Sequence, residues 1–435
     1  MFIIRSKNKR LVLFLAVCFT VMALSYIRTI ALLPTQITLI EGEEYVYNFA
    51  SPFTLGFKTD KKGMLELSNK GGINLVSFDK QVAMKPSKKG SLSLTLKAFG
   101  FLPLKTMKVD IVPNLKISAC GNTVGVKLFL KGVMIIGLAD VADSTGRNVL
   151  PAKDSGIKPG DIIEEVDGKA ADGTEWLVNI IERSQGKTLK INLRRGDGTF
   201  STEVTPILSS EDNVYRLGMW VRDSTAGIGT LTFFDKKSGK FGALGHGITD
   251  IDTGALMPIQ DGEILNCDVV GIKKGKSGTP GELKGLFMED QTKLGKIIAN
   301  SEGGIYGTLD NRYNDRLTSK DYPIALRAQI KEGPAKILSN IDGKTVKEYD
   351  IEIQKVARQN LSGSKGMIIK ITDLNLLEQT GGIVQGMSGS PIIQDGKMVG
   401  AVTHVLVNDP TRGYGIFIEA MLKSLYMFDE LQKAG

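Results

Sequence analysis

Short apolar segments separated by glycine-rich turns run through most of the chain and constrain its fold more than any other feature. Apolar and polar residues alternate with a period of two over residues 91–96 and 107–111, which is typical of half-buried strands. Glycine accounts for 50 of the 435 residues, against roughly 7% in average proteins. No regular alternation of strands with helices appears. The sequence therefore predicts a mainly β protein, with an antiparallel sandwich or paired barrels from residue 208 onward.

The longest apolar run lies near the N-terminus. Residues 11–27 contain no charged side chain, and this length is at the short end of what a helix needs to cross a bilayer. The bases that precede such a run are expected to stay in the cytoplasm. Because the run is long for a signal peptide and no clear small-x-small cleavage site follows, a retained anchor is favoured over a cleaved signal. We predict a single-pass membrane protein with the chain after Arg28 outside the cytoplasm; the preceding bases are Arg5, Lys7, Lys9 and Arg10.

Charge, cysteine and histidine counts exclude several classes of protein. The formal net charge is +8, but residues 1–33 hold five bases and no acid, so the rest of the chain has 50 bases against 47 acids. Nucleic-acid binding is therefore not expected. Cys18 lies inside the apolar run, so at most one disulfide, between Cys120 and Cys267, is possible. With two histidines and no CxxC or HExxH motif, neither a metal site nor another cofactor is expected.

Changes in pattern divide the chain into four segments. Residues 1–33 are the basic stretch and anchor, and residues 34–114 form a small β domain that we interpret as a spacer or a partner-docking module. Residues 115–207 have an α+β pattern, and residues 208–435 contain the candidate catalytic side chains. Within the last segment, residues 418–433 are the one convincing helix.

Three motifs between residues 115 and 207 together resemble a bacterial PDZ domain. They are an x-Φ-G-Φ pattern, GIKPGDII at residues 156–163 and a DGK turn at residues 167–169. The resemblance implies that loop N–H groups bind the carboxylate of a peptide C-terminus, or an internal segment, while a strand edge pairs with the peptide. The alternative is a domain that acts as a rigid spacer. By the resemblance, the binding loop consists of Thr123, Val124, Gly125 and Val126.

The motif QGMSGSP at residues 385–391 carries the clearest chemistry. A nucleophilic serine needs a hydroxyl on a tight turn and backbone N–H groups aimed at the oxyanion, and flanking glycines permit such a turn. Ser388 is the predicted nucleophile, with the N–H groups of Gly386 and Ser388 as oxyanion donors. The motif is similar to the GDSGGP box of trypsin-like peptidases, but Met387 and Ser390 replace the acid and the second glycine.

A serine hydroxyl needs a base that is neutral near pH 7, and His246 and His404 are the two candidates. His246 is favoured because it stands between glycines at a predicted strand end, whereas His404 continues an apolar run and is interpreted as structural. The third member of a triad must be a carboxylate. Asp373 ends a predicted strand fifteen residues before Ser388, and spacing alone leaves its role open against that of a turn aspartate. Asp250 and Asp252 are close to His246 in sequence and are disfavoured.

The combination of an anchor, PDZ motifs, ALGHGITD around His246 and QGMSGSPIIQDGK around Ser388 resembles the stage IV sporulation protein B family of serine peptidases. The resemblance implies that His246, Asp373 and Ser388 are the catalytic residues of a chymotrypsin-like double barrel. It also implies a protease in the space between the two forespore membranes. Such a protease cuts itself and a membrane-bound regulator of an intramembrane protease, and thereby triggers a sigma-factor checkpoint.

Two alternatives remain from the residues alone. One is a non-catalytic PDZ scaffold with a degenerate peptidase fold, against which the retained serine and histidine count. The other is a quality-control protease similar to the HtrA group, in which the peptidase precedes the PDZ domain and does not follow it as it does here.

Overall fold

The computed structural model describes residues 6–49, 51–68, 81–287, 293–310, 312, 317–357 and 363–425. By its contacts the chain divides into two compact units, Met1–Leu115 and Lys116–Gly435. Arg5 and the last part of the predicted C-terminal helix lie outside the described residues, whereas residues 418–425 are helical.

The first unit begins with an apolar helix, α1 (Ser6–Leu32). Its segment Leu11–Leu32 has a mean hydropathy of 2.1 and is long enough to cross a membrane. The helix is therefore a candidate membrane anchor, which agrees with the prediction for the N-terminus. It continues beyond the predicted run because Arg28 interrupts the apolar pattern without breaking the helix.

The rest of the first unit is a small β domain with two sheets. One sheet has the order β1-β7-β6-β3 and the other β2-β5-β4. Leu94, Leu96 and Met107 are fully buried in its core, on the faces that the period-two pattern predicted. The strands are β1 (Gln36–Ile40), β2 (Tyr45–Asn48), β3 (Leu55–Thr59), β4 (Leu65–Ser68), β5 (Gln81–Pro86), β6 (Gly90–Ala98) and β7 (Leu102–Val112).

Among the described residues, the second unit starts with eighteen strands and two α-helices. In chain order these are β8 (Lys116–Ala119), β9 (Thr123–Leu138), β10 (Val141–Ala142), β11 (Asn148–Val149), α2 (Pro151–Asp154), β12 (Ile162–Val166), β13 (Lys169–Ala170), α3 (Gly173–Arg183), β14 (Leu189–Arg195), β15 (Gly198–Val204), β16 (Ile207–Leu208), β17 (Tyr215–Arg216), β18 (Met219–Phe234), β19 (Lys240–Ala243), β20 (Ile259–Asn266), β21 (Asp268–Lys273), β22 (Glu282–Leu286), β23 (Lys293–Ser301), β24 (Gly304–Leu309) and β25 (Lys320–Pro323).

Six of these strands form the first barrel. The antiparallel pairings run in the order β9-β20-β23-β24-β19-β18, and β18 pairs again with β9, so the sheet closes on itself. Leu128, Leu231 and Ile297 are fully buried inside it. Strands β8 and β25 extend the sheet beyond β18.

The PDZ-like unit is inserted into this barrel. Strand β9 leaves the barrel, and its second half pairs with β12, while the first residues of β18 return along β9. Val133, Leu177 and Ile191 belong to a separate core that β9, α3 and β14 share. At the transition Gly132 has φ +92°, and a Cβ there would lie 2.4 Å from the Ile163 carbonyl oxygen. The glycine thus allows the strand to pass from one core to the other.

A second barrel follows and is closed in the order β26-β27-β28-β31-β30-β29. Ile337, Ile369 and Ile392 are fully buried in its core. A short helix, α4 (Leu374–Thr380), leads from β28 towards the serine motif. The strands are β26 (Gly333–Ser339), β27 (Lys347–Val356), β28 (Met367–Ile371), β29 (Pro391–Gln394), β30 (Lys397–Leu406) and β31 (Asp409–Phe417).

The mainly β prediction with paired barrels is confirmed. The predicted boundary between residues 114 and 115 lies next to the division between the two units. Residues 115–207 do not share one core, because Val126 and Leu128 pack inside the first barrel, and Leu217, beyond residue 208, packs in the PDZ-like core. A strand that serves two cores shows one unbroken apolar pattern in the sequence.

Candidate active site

Ser388 lies on a tight turn that leads into β29. Gly386 has φ +100° and Gly389 has φ +97°, a region that favours glycine. A Cβ at Gly389 would lie 2.1 Å from the Thr230 carbonyl oxygen and 2.6 Å from the Leu244 nitrogen. The glycines of the motif therefore allow the turn and also the close approach of the first barrel.

Thr230 on β18 holds this turn from the first barrel. Its hydroxyl donates to the Gly386 carbonyl at 2.7 Å, and its N–H donates to the Ser388 carbonyl at 2.9 Å. Its own carbonyl accepts from the Leu244 N–H at 3.2 Å. Because Thr230 is fully buried, these bonds are shielded from competition with water. One side chain and its peptide groups thus tie the serine turn to the residues that lead to His246.

The predicted oxyanion donors are available for a ligand. The N–H groups of Met387 and Gly389 donate to the carbonyls of Val384 and Val402. By contrast, the N–H groups of Gly386 and Ser388 have no acceptor within the described part of the chain. Two free N–H groups on one glycine-containing turn are what stabilisation of an oxyanion requires.

His246 follows β19, after Leu244 and Gly245, which both have positive φ. Its Nδ1 lies 2.9 Å from the Gly247 carbonyl oxygen. A carbonyl only accepts, so this contact favours the tautomer with the proton on Nδ1 and leaves Nε2 free to act as a base. Burial lowers the pKa of His246 below its ordinary value of 6.5, although the Gly247 carbonyl opposes this shift.

The loop after His246 is held by Asn300 on β23. Its amide nitrogen donates to the carbonyls of Ile248 and Met257 at 2.8 and 2.9 Å, and its amide oxygen accepts from the Ile248 N–H at 2.9 Å. These bonds connect both ends of the loop to one strand of the first barrel. Asn300 therefore restricts the backbone that carries His246.

His404 lies beside His246, with 4.5 Å between the ring centroids. It had been predicted as a structural residue, but its side chain is exposed on β30. Partial burial, His246 and Lys365 together lower the pKa of His404 to about 4. The Ser388 hydroxyl donates to the carbonyl of the preceding residue, Thr403, at 2.5 Å. The structure thus brings Ser388 and both histidines to one place between the barrels.

Asp373 lies elsewhere in the second barrel. It is the N-cap of α4, and its carboxylate accepts from the Leu376 N–H at 2.9 Å and from the Asp350 N–H at 3.5 Å. Asp373 follows β28, which ends at Ile371, and it lies beyond the residues that pair with β31. Within the described residues, no hydrogen bond or ion pair joins Asp373 to either imidazole.

The two aspartates near His246 in sequence have structural partners. Asp250 is buried and forms an ion pair with Arg222, and it also accepts from Thr253. Asp252 forms a second ion pair with Arg222 at 3.0 Å. Neither carboxylate bonds to His246 in the described part of the structure, so the reason for disfavouring them holds.

The predicted peptide-binding loop requires a correction. Thr123, Val124, Gly125 and Val126 are not in a loop, because they begin β9 and pair with β18 along one edge. Val124 to Val126 pair with β20 along the other edge. A Cβ at Gly125 would lie 2.8 Å from the Phe287 ring, so this glycine serves packing and not a turn. The N–H groups of this segment therefore cannot form a carboxylate site.

Cys120 and Cys267 are buried free thiols, so the possible disulfide is not formed. Within the described ranges, no group of three or more His, Cys, Asp or Glu side chains could hold a metal ion.

Comparison with known proteins identifies the region that contains this site. The sequence profile of the family described as SpoIVB peptidase S55 matches residues 213–422. These residues are a SpoIVB peptidase S55 domain. The match includes His246, Asp373 and Ser388.

Other similarities are partial. The chain is 37% identical over 101 residues to the "Putative zinc metalloprotease" of Lactococcus lactis. The alignment covers 23% of this chain and spans about a fifth of that relative's length. The PDZ domain of an SdrC-like protein from Listeria monocytogenes is 25% identical, with 21% of this chain and 87% of that chain covered and a TM-score of 0.17. The HtrA-type protease AlgW with decapeptide is 9% identical, with 72% and 65% covered and a TM-score of 0.28. The peptidase assignment rests on the family match.

Sequence reasoning missed Thr230 and Asn300 and underrated His404. A threonine within the apolar stretch of β18 was a weak signal, because a buried hydroxyl needs a partner. For His404 no periodic signal was present, because residues 398–403 before it on β30 are all buried.

Proposed function

We propose that this protein is a serine endopeptidase in which Ser388 attacks the peptide carbonyl and His246 is the general base. The hydroxyl proton moves to Nε2 of His246 as the new carbon–oxygen bond forms, and it then passes to the leaving amine as the peptide bond breaks. Water repeats the sequence to release the acyl group from Ser388. The free N–H groups of Gly386 and Ser388 stabilise the negatively charged oxygen in both halves.

The observation that carries this proposal is the bonding of Thr230. A residue of the histidine-bearing barrel fixes both sides of the Gly386–Ser388 turn of the other barrel. The two candidate catalytic groups are therefore positioned by one hydrogen-bonded connection and not by loops that move independently.

In the described state the Ser388 hydroxyl is bonded to the Thr403 carbonyl, which cannot accept its proton during catalysis. Rotation of this side chain towards His246 must therefore precede attack. The family resemblance implies that Asp373 is the carboxylate that orients His246, and this role stays a prediction. In its place, the Gly247 carbonyl holds Nδ1 of His246.

We further propose that α1 anchors the protein, that the enzyme cuts itself, and that its substrate is a membrane-bound regulator of an intramembrane protease in a sporulation checkpoint. The S55 family match and the apolar helix support this proposal. The PDZ-like unit would bind C-termini or internal segments of protein substrates through an edge other than residues 123–126. The space between the forespore membranes is the proposed site of action.

Labelling of the purified full-length chain with a fluorophosphonate tests the catalytic proposal. Wild type is expected to be labelled at Ser388, and Ser388→Ala and His246→Ala to show no labelling above background. Ser390→Ala is the matched control, because Ser390 is fully buried two residues away in the same motif. A wild-type chain that is folded but not labelled would support a non-catalytic scaffold instead.

The biological proposal has a separate test. Mass spectrometry of the N-terminus, with and without Ser388→Ala, is expected to show a shortened chain only when Ser388 is present. In an endospore-forming host that lacks its own S55 peptidase, wild type but not Ser388→Ala is expected to restore late sporulation. Restoration by both would contradict a proteolytic role in the checkpoint.

A further inference from the structure

An exposed apolar cluster occupies the turn between β6 and β7 in the first unit. Phe99, Phe101 and Leu102 have 46%, 74% and 42% of their surface exposed. The rings of Phe53 and Phe99 are 5.4 Å apart, and those of Phe99 and Phe101 are 6.3 Å apart. Residues 99–102 are called the hairpin tip below. Three large apolar side chains on one turn are more than scattered surface residues and indicate a partner.

The residues of β7 that follow the hairpin tip are bonded directly to the apolar helix. The Tyr26 hydroxyl of α1 donates to the carbonyl of Pro103 at 2.6 Å. The Lys105 ammonium group donates to the Ile30 carbonyl at 3.1 Å and also to the Leu33 carbonyl. A cation on the last carbonyls of a helix stabilises that end. These bonds fix the depth of the hairpin tip relative to the end of α1.

That depth corresponds to the membrane surface. Tyr26 lies one residue before Ile27, the last residue of the run 11–27 that contains no charged side chain, and Arg28 follows it. If α1 crosses a hydrocarbon core of about 30 Å, the groups bonded to Tyr26 lie where the acyl chains meet the headgroups. Tyrosine and other aromatic side chains are enriched at this depth.

Basic side chains lie near the hairpin tip. Lys97 is opposite Pro103 in the β6–β7 pairing, and Arg28 is exposed on α1 between Tyr26 and Ile30. Cations next to exposed apolar groups favour a surface of anionic lipid, since the headgroups neutralise the charges while the apolar groups enter the acyl boundary.

We propose that the hairpin tip inserts into the same bilayer that α1 spans, at the level of the headgroups and upper acyl chains. The β domain then has two attachments to the membrane, a spanning helix and a shallow apolar turn, so its orientation at the surface is restricted. This inference rests on the proposed anchoring role of α1, and it is independent of the catalytic residues.

Tryptophan fluorescence in vesicles tests the depth. The full-length variant Phe101→Trp is reconstituted in vesicles of phosphatidylcholine and phosphatidylglycerol with bromine at carbons 6,7 or 11,12 of the acyl chains. The parent chain, which holds Trp176 and Trp220, supplies the background signal. The introduced tryptophan is expected to emit at shorter wavelength than exposed tryptophan and to be quenched more by the 6,7 than by the 11,12 lipid.

Val46→Trp is the matched control in the same unit. Val46 is 64% exposed. It lies far from the hairpin tip, because the hydroxyl of its neighbour Tyr45 accepts a hydrogen bond from the Ile40 N–H, and Ile40 pairs with Val112. Val112 ends β7, about 33 Å along the strand from Leu102 at its start. The tryptophan of this control is expected to emit as in water and to remain unquenched. Equal, negligible quenching at both positions would overturn the proposal.

Two further outcomes are distinguishable. If the Phe101→Trp variant shows a blue-shifted emission that brominated lipid does not quench, and that shifts back on dilution, the hairpin tip contacts another protein and lipid insertion is overturned. Release of the parent chain from vesicles by alkaline carbonate would overturn the anchoring role of α1 together with the insertion. Labelling of Ser388 is expected to be unchanged in both tryptophan variants, which shows that the fold and the active site are retained.

Discussion

The two barrels of this protein have the same strand number but differ in how the chain builds them. All strands of the second barrel lie within residues 333–417, and its most separated pairing joins β26 to β29, as at Ile337 and Ile392. The first barrel closes only when β9 meets β18, across the inserted PDZ-like unit. A contiguous barrel can form from local pairings, whereas the interrupted one needs a long loop to be closed first.

The two barrels also contribute different parts of the site. The second supplies a rigid glycine turn with Ser388, and the first supplies His246 on a loop held by Asn300. Thr230 lies on β18, the strand that also packs in the PDZ-like core through Met219 and Val221. Strand β18, which returns to the first barrel from the inserted PDZ-like unit, therefore also contacts the serine turn of the second barrel.

The largest expected effect concerns which barrel supplies the base. His246→Ala is expected to lower the rate of fluorophosphonate labelling by about 10⁴-fold or more, because the nucleophile loses its proton acceptor. His404→Ala is expected to stay within about tenfold of wild type, since His404 only packs against the catalytic ring. Labelling rates of the two variants check this, and the reverse order would assign the base to β30 of the second barrel.

The connection between the barrels is the next target. Thr230→Val removes the hydroxyl that donates to the Gly386 carbonyl, and displacement of the turn is expected to slow labelling by about 10- to 100-fold. Thr230→Ser keeps the hydroxyl and is expected to restore most of the rate.

Thr232→Val is the matched control, because Thr232 is equally buried on β18 and its hydroxyl has no hydrogen-bond partner within the described residues. Its rate is expected to remain at the wild-type level. If Thr230→Val, Thr230→Ser and Thr232→Val all slow labelling equally, the loss of rate comes from altered packing of β18 and not from loss of the bond to the Gly386 carbonyl.

The pH dependence of labelling tests how the first barrel sets its base. Since burial lowers the pKa of His246 below 6.5, the imidazole stays neutral at mildly acidic pH, and the rate is expected to fall with a midpoint below 6.5. A midpoint at or above 7 would instead indicate a carboxylate close to His246.

Circular dichroism at each pH provides the control for unfolding. Because the pKa of His404 is lower in the folded protein than in the unfolded chain, the unfolded chain takes up a proton first as the pH falls. The stability that neutral His404 contributes to the folded protein is therefore present above pH 6.5 and is lost as the pH falls towards about 4. Rates are therefore compared only where the signal is that of the folded protein.

The smallest expected effect concerns Asp373 in the second barrel. Asparagine caps a helix about as well as aspartate, so Asp373→Asn is expected to leave the thermal midpoint nearly unchanged and the labelling rate within about threefold of wild type. A loss near 10⁴-fold with an unchanged thermal midpoint would show that the carboxylate reaches His246 in another arrangement of α4.

Much of the site was predictable from local patterns. The glycines around Ser388 and His246 predicted turns, and both turns have the positive φ values that glycine permits. His404 and Thr230 were not predictable in this way, because their roles come from contacts with residues far away in sequence. The x-Φ-G-Φ pattern of residues 123–126 led to a wrong prediction of a binding loop. In the sequence, a glycine that is needed for packing against Phe287 cannot be told from one that is needed for a turn.

The sequence by itself determined the strands, the apolar helix and the two glycine turns that carry Ser388 and His246, because each depends on backbone preferences and side-chain periodicity within a few residues. Only the tertiary structure decided that β9 and β18 belong to two cores, that the histidines lie together, and that Asp373 caps a helix. A strand has the same period-two pattern whether its neighbour is ten or ninety residues away, so the pairing that assembles the site is set by the packing of the whole unit.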